Sequence, residues 1–131
     1  AGHRVLGHEG KCKNLHGHRY VAEITVEAPE LDSLGRVVDF GVIKEVVGKW
    51  IDENWDHGML LNYEDPLLDL SANDQSSMIG KVYTFPFGKN PTAENIAEVL
   101  YHKASEILPL HVKNVRIWET PNCAADYPGN L

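Results

Sequence analysis

Between positions 18 and 28 the chain alternates. His18, Tyr20, Ala22, Ile24, Val26 and Ala28 fall on one face, and Arg19, Val21, Glu23, Thr25 and Glu27 on the other. A period of two predicts a half-buried strand. Pro29 and the stretch from Asp32 to Gly35 then supply turn residues. After Asp39 the period changes: Val42, Ile43, Val46, Val47, Trp50 and Ile51 recur at helical spacing and make one apolar stripe, which fades near Asn54. Asp39 is a natural N-cap for that helix. Ile79 to Phe87 read as a second strand, closed by Gly88 and Pro91. A second helix begins behind Thr92, again a good N-cap, with Ile96, Leu100, Ala104 and Ile107 as its buried stripe and Pro109 as its stop. Residues 111–119 give a final strand with Val115 and Ile117 on one face. Residues 1–6 read as the end of one more strand whose beginning lies upstream, and Glu64 to Ser77 as a polar, irregular loop. The order predicts an α+β fold, an antiparallel sheet with helices on one side.

Composition narrows this picture modestly. The 131 residues suit a single domain, 1–131, with one hydrophobic core, and 43% apolar with 24% charged content is ordinary for a soluble globular chain. There is no linker, repeat or low-complexity segment. No apolar run is long enough to span a bilayer, and no signal peptide is visible, although the chain starts at Ala1 and not at a methionine. Two cysteines, Cys12 and Cys123, are too few for a disulfide framework and read as free thiols of a reducing compartment, the cytoplasm. A net charge of −7 argues against nucleic acid or membrane as partner. The first 20 residues run the other way, with Arg4, Lys11, Lys13 and Arg19 against Glu9, a local charge of +3. A solvated basic loop and a landing place for an anionic small molecule both fit.

The strongest chemical signal is His16-Gly17-His18. If the first strand extends back to residue 16, both imidazoles point to the same face, about 6.5–7 Å apart along the backbone, and can converge on one ion. Two histidines at this spacing also arise by chance in a chain with seven. Gly17 permits close approach of backbone or ligand. His3, on a neighbouring strand, is the candidate third ligand, and three neutral nitrogens suit zinc while leaving a fourth position open, the arrangement of a catalytic site. Cys12 lies four residues before His16. It can be a fourth ligand that closes the site, a nucleophile or base favoured by Lys11, Lys13 and a nearby metal, or a buried structural thiol. Asp56-His57 follows the first helix and is either a helix-end cap or a proton-transfer pair. Glu119, at the end of the last strand, is either a solvated carboxylate or an acceptor for two parallel N–H groups of an amidine-like edge, as in pterin or guanine.

Taken together, Ala1-Gly2-His3-Arg4, Gly10-Lys11-Cys12-Lys13-Asn14-Leu15-His16-Gly17-His18, Val38-Asp39-Phe40, Asp56-His57 with Leu61-Asn62, Asn90-Pro91-Thr92-Ala93-Glu94-Asn95 and Trp118-Glu119-Thr120 occur in one order over nearly the whole chain. The pattern resembles the 6-pyruvoyl-tetrahydropterin synthase family, and within it the 6-carboxy-tetrahydropterin synthase branch. Members of that branch carry three residues between the cysteine and the His-Gly-His, as here, where pyruvoyl-type enzymes usually carry five. A third branch replaces the cysteine function with a glutamate, and this chain keeps Cys12.

The resemblance implies the tunnelling fold, an antiparallel four-stranded sheet with two helices packed on one face, in trimers that stack into a homo-hexamer. It implies a zinc-dependent lyase that converts 7,8-dihydroneopterin triphosphate into 6-carboxy-5,6,7,8-tetrahydropterin, acetaldehyde and triphosphate, on the route to queuosine and other 7-deazapurines. His3, His16 and His18 match the zinc ligands, Cys12 the general base, His57 with Asp56 the acid of a relay, and Glu119 the pterin anchor that also joins the relay. The alternatives are a pyruvoyl-type synthase, which eliminates triphosphate without releasing acetaldehyde, and a non-enzymatic module with Cys12 closing a structural zinc site. Two features depart from the pattern. The family's first strand begins several residues before His3, and the loop between Asn62 and Asn90 is longer than in compact carboxy-type enzymes.

Overall fold

The alternation that marks the first strand is borne out in its burial. Val21–Glu27 form a strand whose Ala22, Ile24 and Val26 pack toward the core while Val21, Glu23, Thr25 and Glu27 face solvent. The structure, a computed structural model, describes residues 1–69, 80–86 and 88–129. Its strands are β1 (Gly2–His3), β2 (His16–Gly17), β3 (Val21–Glu27), β4 (Met59–Asn62), β5 (Val82–Phe85), β6 (His111–Thr120) and β7 (Cys123–Tyr127). Ile79 and Phe87, the ends of the expected second strand, and residues 70–77 of the expected loop lie outside the described residues.

The first helical region starts where the pattern places it. The Asp39 side chain accepts from the Gly41 amide at 2.9 Å. Helix α1 (Phe40–Ile43) runs through a π-helical turn (Lys44–Gly48) into α2 (Lys49–Asn54). Val47 is fully buried, and Ile43, Val46, Trp50 and Ile51 pack around it. Helix α3 (Ala93–Ile107) begins behind Thr92, whose hydroxyl accepts from the Asn95 amide at 3.2 Å, and buries Ile96, Ala97, Leu100 and Ala104. It stops just before Leu108-Pro109, because proline cannot continue the ladder. The helices cover a core that includes Trp55, Leu60, Phe85, Leu100, Val112, Val115 and Ile117. Each large side chain among them contributes about 2 kcal/mol by leaving water.

The sheet differs from the expectation of four antiparallel strands, because the strands divide into two sheets. One is antiparallel, in the order β3-β6-β7, with Val21 opposite Trp118 and Glu27 opposite His111. The other has the order β2-β1-β4-β5 and is mixed: β1 and β2 are antiparallel, whereas β4 runs parallel to both β1 and β5. Two physical causes account for this. The chain leaves strand geometry over residues 18–20, so His16–Gly17 pair with β1 and do not extend β3. Strand β4 enters between β1 and β5 after the helical crossover, and parallel neighbours suit its apolar Met-Leu-Leu run, with Leu60 and Leu61 fully buried.

Candidate metal centre and its surroundings

Strand pairing builds the centre. His3 on β1 lies directly opposite His16 on β2, and Gly2 lies opposite Gly17. A Cβ on Gly17 would stand 3.2 Å from the Ala1 carbonyl oxygen, so the bare backbone lets the two strands approach. His18 follows where β2 ends, its amide donating to the same Ala1 carbonyl at 3.1 Å. His18 meets the other two rings edge to face and His3 is tilted against His16, with centroids 4.6–5.1 Å apart, and one nitrogen of each lies within 4.8 Å of the others.

The tautomers follow from the surroundings. His3 Nδ1 lies 2.7 Å from the Pro91 carbonyl oxygen and His16 Nδ1 lies 2.6 Å from that of Asn14. A carbonyl oxygen only accepts, so both Nδ1 atoms carry the proton. Each ring then presents its Nε2 lone pair, and the two Nε2 atoms are 3.1 Å apart. Two lone pairs so close repel unless a cation or proton lies between them. Nitrogens on a tetrahedral zinc ion are about 3.3 Å apart. His18 Nε2 is buried with no hydrogen-bond partner. The donor set therefore fits a metal ion. Burial holds His3 below the usual imidazole range, which favours the neutral, ligating form; the Pro91 carbonyl and Glu119 pull the other way, and the His16 and His18 charges push in the same direction as burial.

Glu119, near the end of β6, points its Oε1 into the trio, 3.5 Å from His3 Nε2 and 3.8 Å from His18 Nε2. Beside them is a cavity of about 220 Å3, lined by His3, His8, Cys12, Thr92, Glu94 and Glu119 among others. Cys12 reaches it from a short 3-10 turn, Lys11–Lys13, fixed by the Val5 amide donating to the Cys12 carbonyl at 2.8 Å. Among the described residues the metal-capable group is three histidines without a sulfur. Cys12 thus borders this cavity and stands outside the three-histidine group.

Asp56 and His57 are placed differently. They follow α2, with His57 Nε2 3.6 Å from Asp56 Oδ2, a backbone φ of 58° at His57 and a His57 side chain that is 92% exposed. Asp56 borders a second cavity, of about 370 Å3, shared with His18 and Tyr20. His57 lines neither cavity. Within one chain the fold therefore brings together His3, Cys12, His16, His18 and Glu119 and leaves His57 facing outward.

The sequence pattern passes over several residues of this region. The Tyr20 ring packs edge-on against His3 and His18, with centroids 5.7 and 5.5 Å away, and its hydroxyl is buried without a partner. Burial, and after it the charges of Glu119 and Cys12, push that phenol far above its ordinary range, so it stays neutral. The alternation placed Tyr20 on the His18 face, which was the available signal. Thr92 and Glu94 stand in the Asn90–Asn95 run. His8 carries no pattern; its Nδ1 accepts from the Gly10 amide at 2.7 Å, which leaves the proton on Nε2.

The sequence profile of the family described as 6-pyruvoyl tetrahydropterin synthase matches residues 1–130. A protein of Rickettsia felis named 6-carboxy-5,6,7,8-tetrahydropterin synthase is 45% identical over 130 residues, covering 94% of this chain and 89% of the relative. Among solved structures, an uncharacterised protein from Wolinella succinogenes aligns with a TM-score of 0.73 and 25% identity, over 95% of this chain and 90% of that one. The 6-pyruvoyl tetrahydropterin synthase of Plasmodium vivax aligns with a TM-score of 0.63 and 20% identity, over 92% and 84%, a likeness of fold. The chain belongs to the 6-pyruvoyl tetrahydropterin synthase family.

Proposed function

We propose that the chain is a zinc-dependent carboxy-type tetrahydropterin synthase, acting on 7,8-dihydroneopterin triphosphate and water to yield 6-carboxy-5,6,7,8-tetrahydropterin, acetaldehyde and triphosphate. The observation that carries this reading is the pair of facing Nε2 lone pairs on His3 and His16, 3.1 Å apart, with a third Nε2, on His18, buried without a hydrogen-bond partner. The identity to named carboxy-type relatives supplies the branch. Zinc held by the three imidazoles would supply Lewis acidity to a side-chain oxygen of the substrate. Glu119 anchors the amidine-like edge of the pterin through two parallel hydrogen bonds. Cys12, across the same cavity, takes a proton from the side chain. His57, beside Asp56, returns a proton. Because His57 faces outward, it serves a site formed with a second copy of the chain, in keeping with a tunnelling-fold homo-hexamer. The setting is the cytoplasmic route to queuosine and related 7-deazapurines.

Product analysis tests the reading. Zinc-loaded protein given dihydroneopterin triphosphate should release acetaldehyde and 6-carboxytetrahydropterin in equal amounts. Formation of 6-pyruvoyl-tetrahydropterin without acetaldehyde would assign the pyruvoyl-type reaction instead.

A further inference from the structure

His3 is the most deeply buried of the three imidazoles, at 1% exposure, and it sits on a two-residue strand. Such a short strand does not hold a side chain rigidly by itself. The chain beyond it is tied down at Leu6, where the Asn90 side chain accepts from the Leu6 amide through Oδ1 at 3.0 Å and donates to the Leu6 carbonyl through Nδ2 at 2.9 Å. These two bonds imitate a strand pair at a point where no strand runs. Asn90 Oδ1 also accepts from Asn62 Nδ2 at 3.1 Å, and Asn62 Nδ2 donates to the Gly88 carbonyl at 2.8 Å. The Asn90 carbonyl accepts from Asn95 Nδ2 at 2.8 Å and from the Thr92 amide at 2.9 Å. The next residue is Pro91, whose carbonyl accepts from His3 Nδ1 at 2.7 Å and so sets the tautomer of that ring. One asparagine therefore grips the backbone that follows the ligand and also holds, one residue on, the carbonyl that aims it.

We infer that Asn90 is a positioning residue for the metal centre, which sets metal affinity by locking His3 in its Nε2-presenting orientation. The inference rests on the metal reading of the three histidines. Partners of ligating histidines that fix ring orientation change metal affinity by about 10–100-fold when lost. Asn90 acts one step further out, through the backbone on both sides of such a contact. Asn62 and Asn95 act through Asn90, so their loss should have the same sign.

The test measures Zn2+ affinity by competition with a chromophoric chelator and the visible spectrum of the Co2+-loaded protein. Asn90→Ala should weaken zinc binding about 10–100-fold and shift the cobalt bands toward those of His3→Ala. Asn90→Asp keeps the acceptor and loses the donor to Leu6, so it should fall between Asn90→Ala and the parent. If Asn90→Ala does not fold, Asn90→Asp and Asn95→Ala carry the test. Leu100→Ala is the control, a core variant that loses stability with no link to His3. It should keep the parental affinity and spectrum. Parental zinc affinity and cobalt bands in every asparagine variant would overturn the inference, as would an equal loss in Leu100→Ala. A parent chain that binds neither metal would instead overturn the metal reading itself.

Discussion

A histidine that donates from one ring nitrogen to a fixed carbonyl can offer only the other nitrogen to an ion. That is the state of His3 and His16, set by Pro91 and Asn14. Cys12 has a different standing, since it borders the cavity and lies outside the ligand group. Cys12→Ala should keep its zinc, by metal analysis, while turnover falls about 10²–10⁴-fold, the usual contribution of a general acid or base. Loss of zinc would make Cys12 a ligand, and an undiminished rate would remove it from the chemistry. The spacing of His16 and His18 made them legible in the sequence. His3 was less so, because its place depends on strand register and on a carbonyl 88 positions away. The orientation of His57 was not legible at all: two adjacent residue names say nothing about a positive φ that turns one of them into solvent.

Elements with a clear period were legible, and short or uniform ones were not. The amphipathic stripes and N-caps of α1 and α3 occur where Asp39 and Thr92 place them. The π-turn between α1 and α2 inserts a residue that a 3.6-residue repeat does not register. Strand β4 is four residues, three of them apolar, and has no alternation to betray it. Strand β7 begins Cys-Ala-Ala, without a β-branched residue. The break between β2 and β3 is why one sheet became two. Just after β4 lies Asp65, buried against Arg4, the neighbour of His3, with Arg4 Nε donating at 2.6 Å and the Leu67 amide at 2.8 Å. Burial alone would raise the Asp65 carboxyl, but the Arg4 and Leu67 hydrogen bonds and the Arg4 charge outweigh it and hold the group below the usual carboxylate range. As pH falls, the unfolded chain therefore takes up this proton first, so the stability from the pair is present above about pH 4 and is lost as pH falls through the lower, folded value. Asp65→Asn should cost about 2 kcal/mol at neutral pH and flatten the acid side of the stability profile. Denaturant unfolding at pH 7 and below pH 4 reads both, and a variant as stable as the parent at pH 7 would show that the pair contributes nothing net.

At the scale of the whole molecule, one chain leaves large apolar side chains exposed. Phe40, Leu34 and Leu31 are among its most exposed large apolar side chains, and Phe40 and Leu31 line a groove of about 890 Å3 between β3 and α1. No described helix is long and apolar enough to cross a membrane. These surfaces are what the proposed homo-oligomer would cover, and the outward His57 is the residue it would carry to a neighbouring copy's site. Cys12→Ala and His57→Ala should each be nearly inactive alone. Unfolded together and reassembled, they should recover about a quarter of the parental rate, because random mixing restores both groups in that share of two-chain sites. No recovery on mixing would place both residues in one chain. Light scattering on the parent checks the assembly itself.

The bond from His3 to the Pro91 carbonyl also orders events in time. During synthesis the three imidazoles emerge well before residue 91 is made. Until then His3 has no fixed tautomer, no grip at Leu6 and no covering helix, and contacts so distant along the chain are slow to form. A nascent or prematurely ended chain can offer its two close histidines but cannot assemble the third. If the three histidines hold an ion as proposed, tight capture would come late, once Pro91 is in place to fix the orientation of His3.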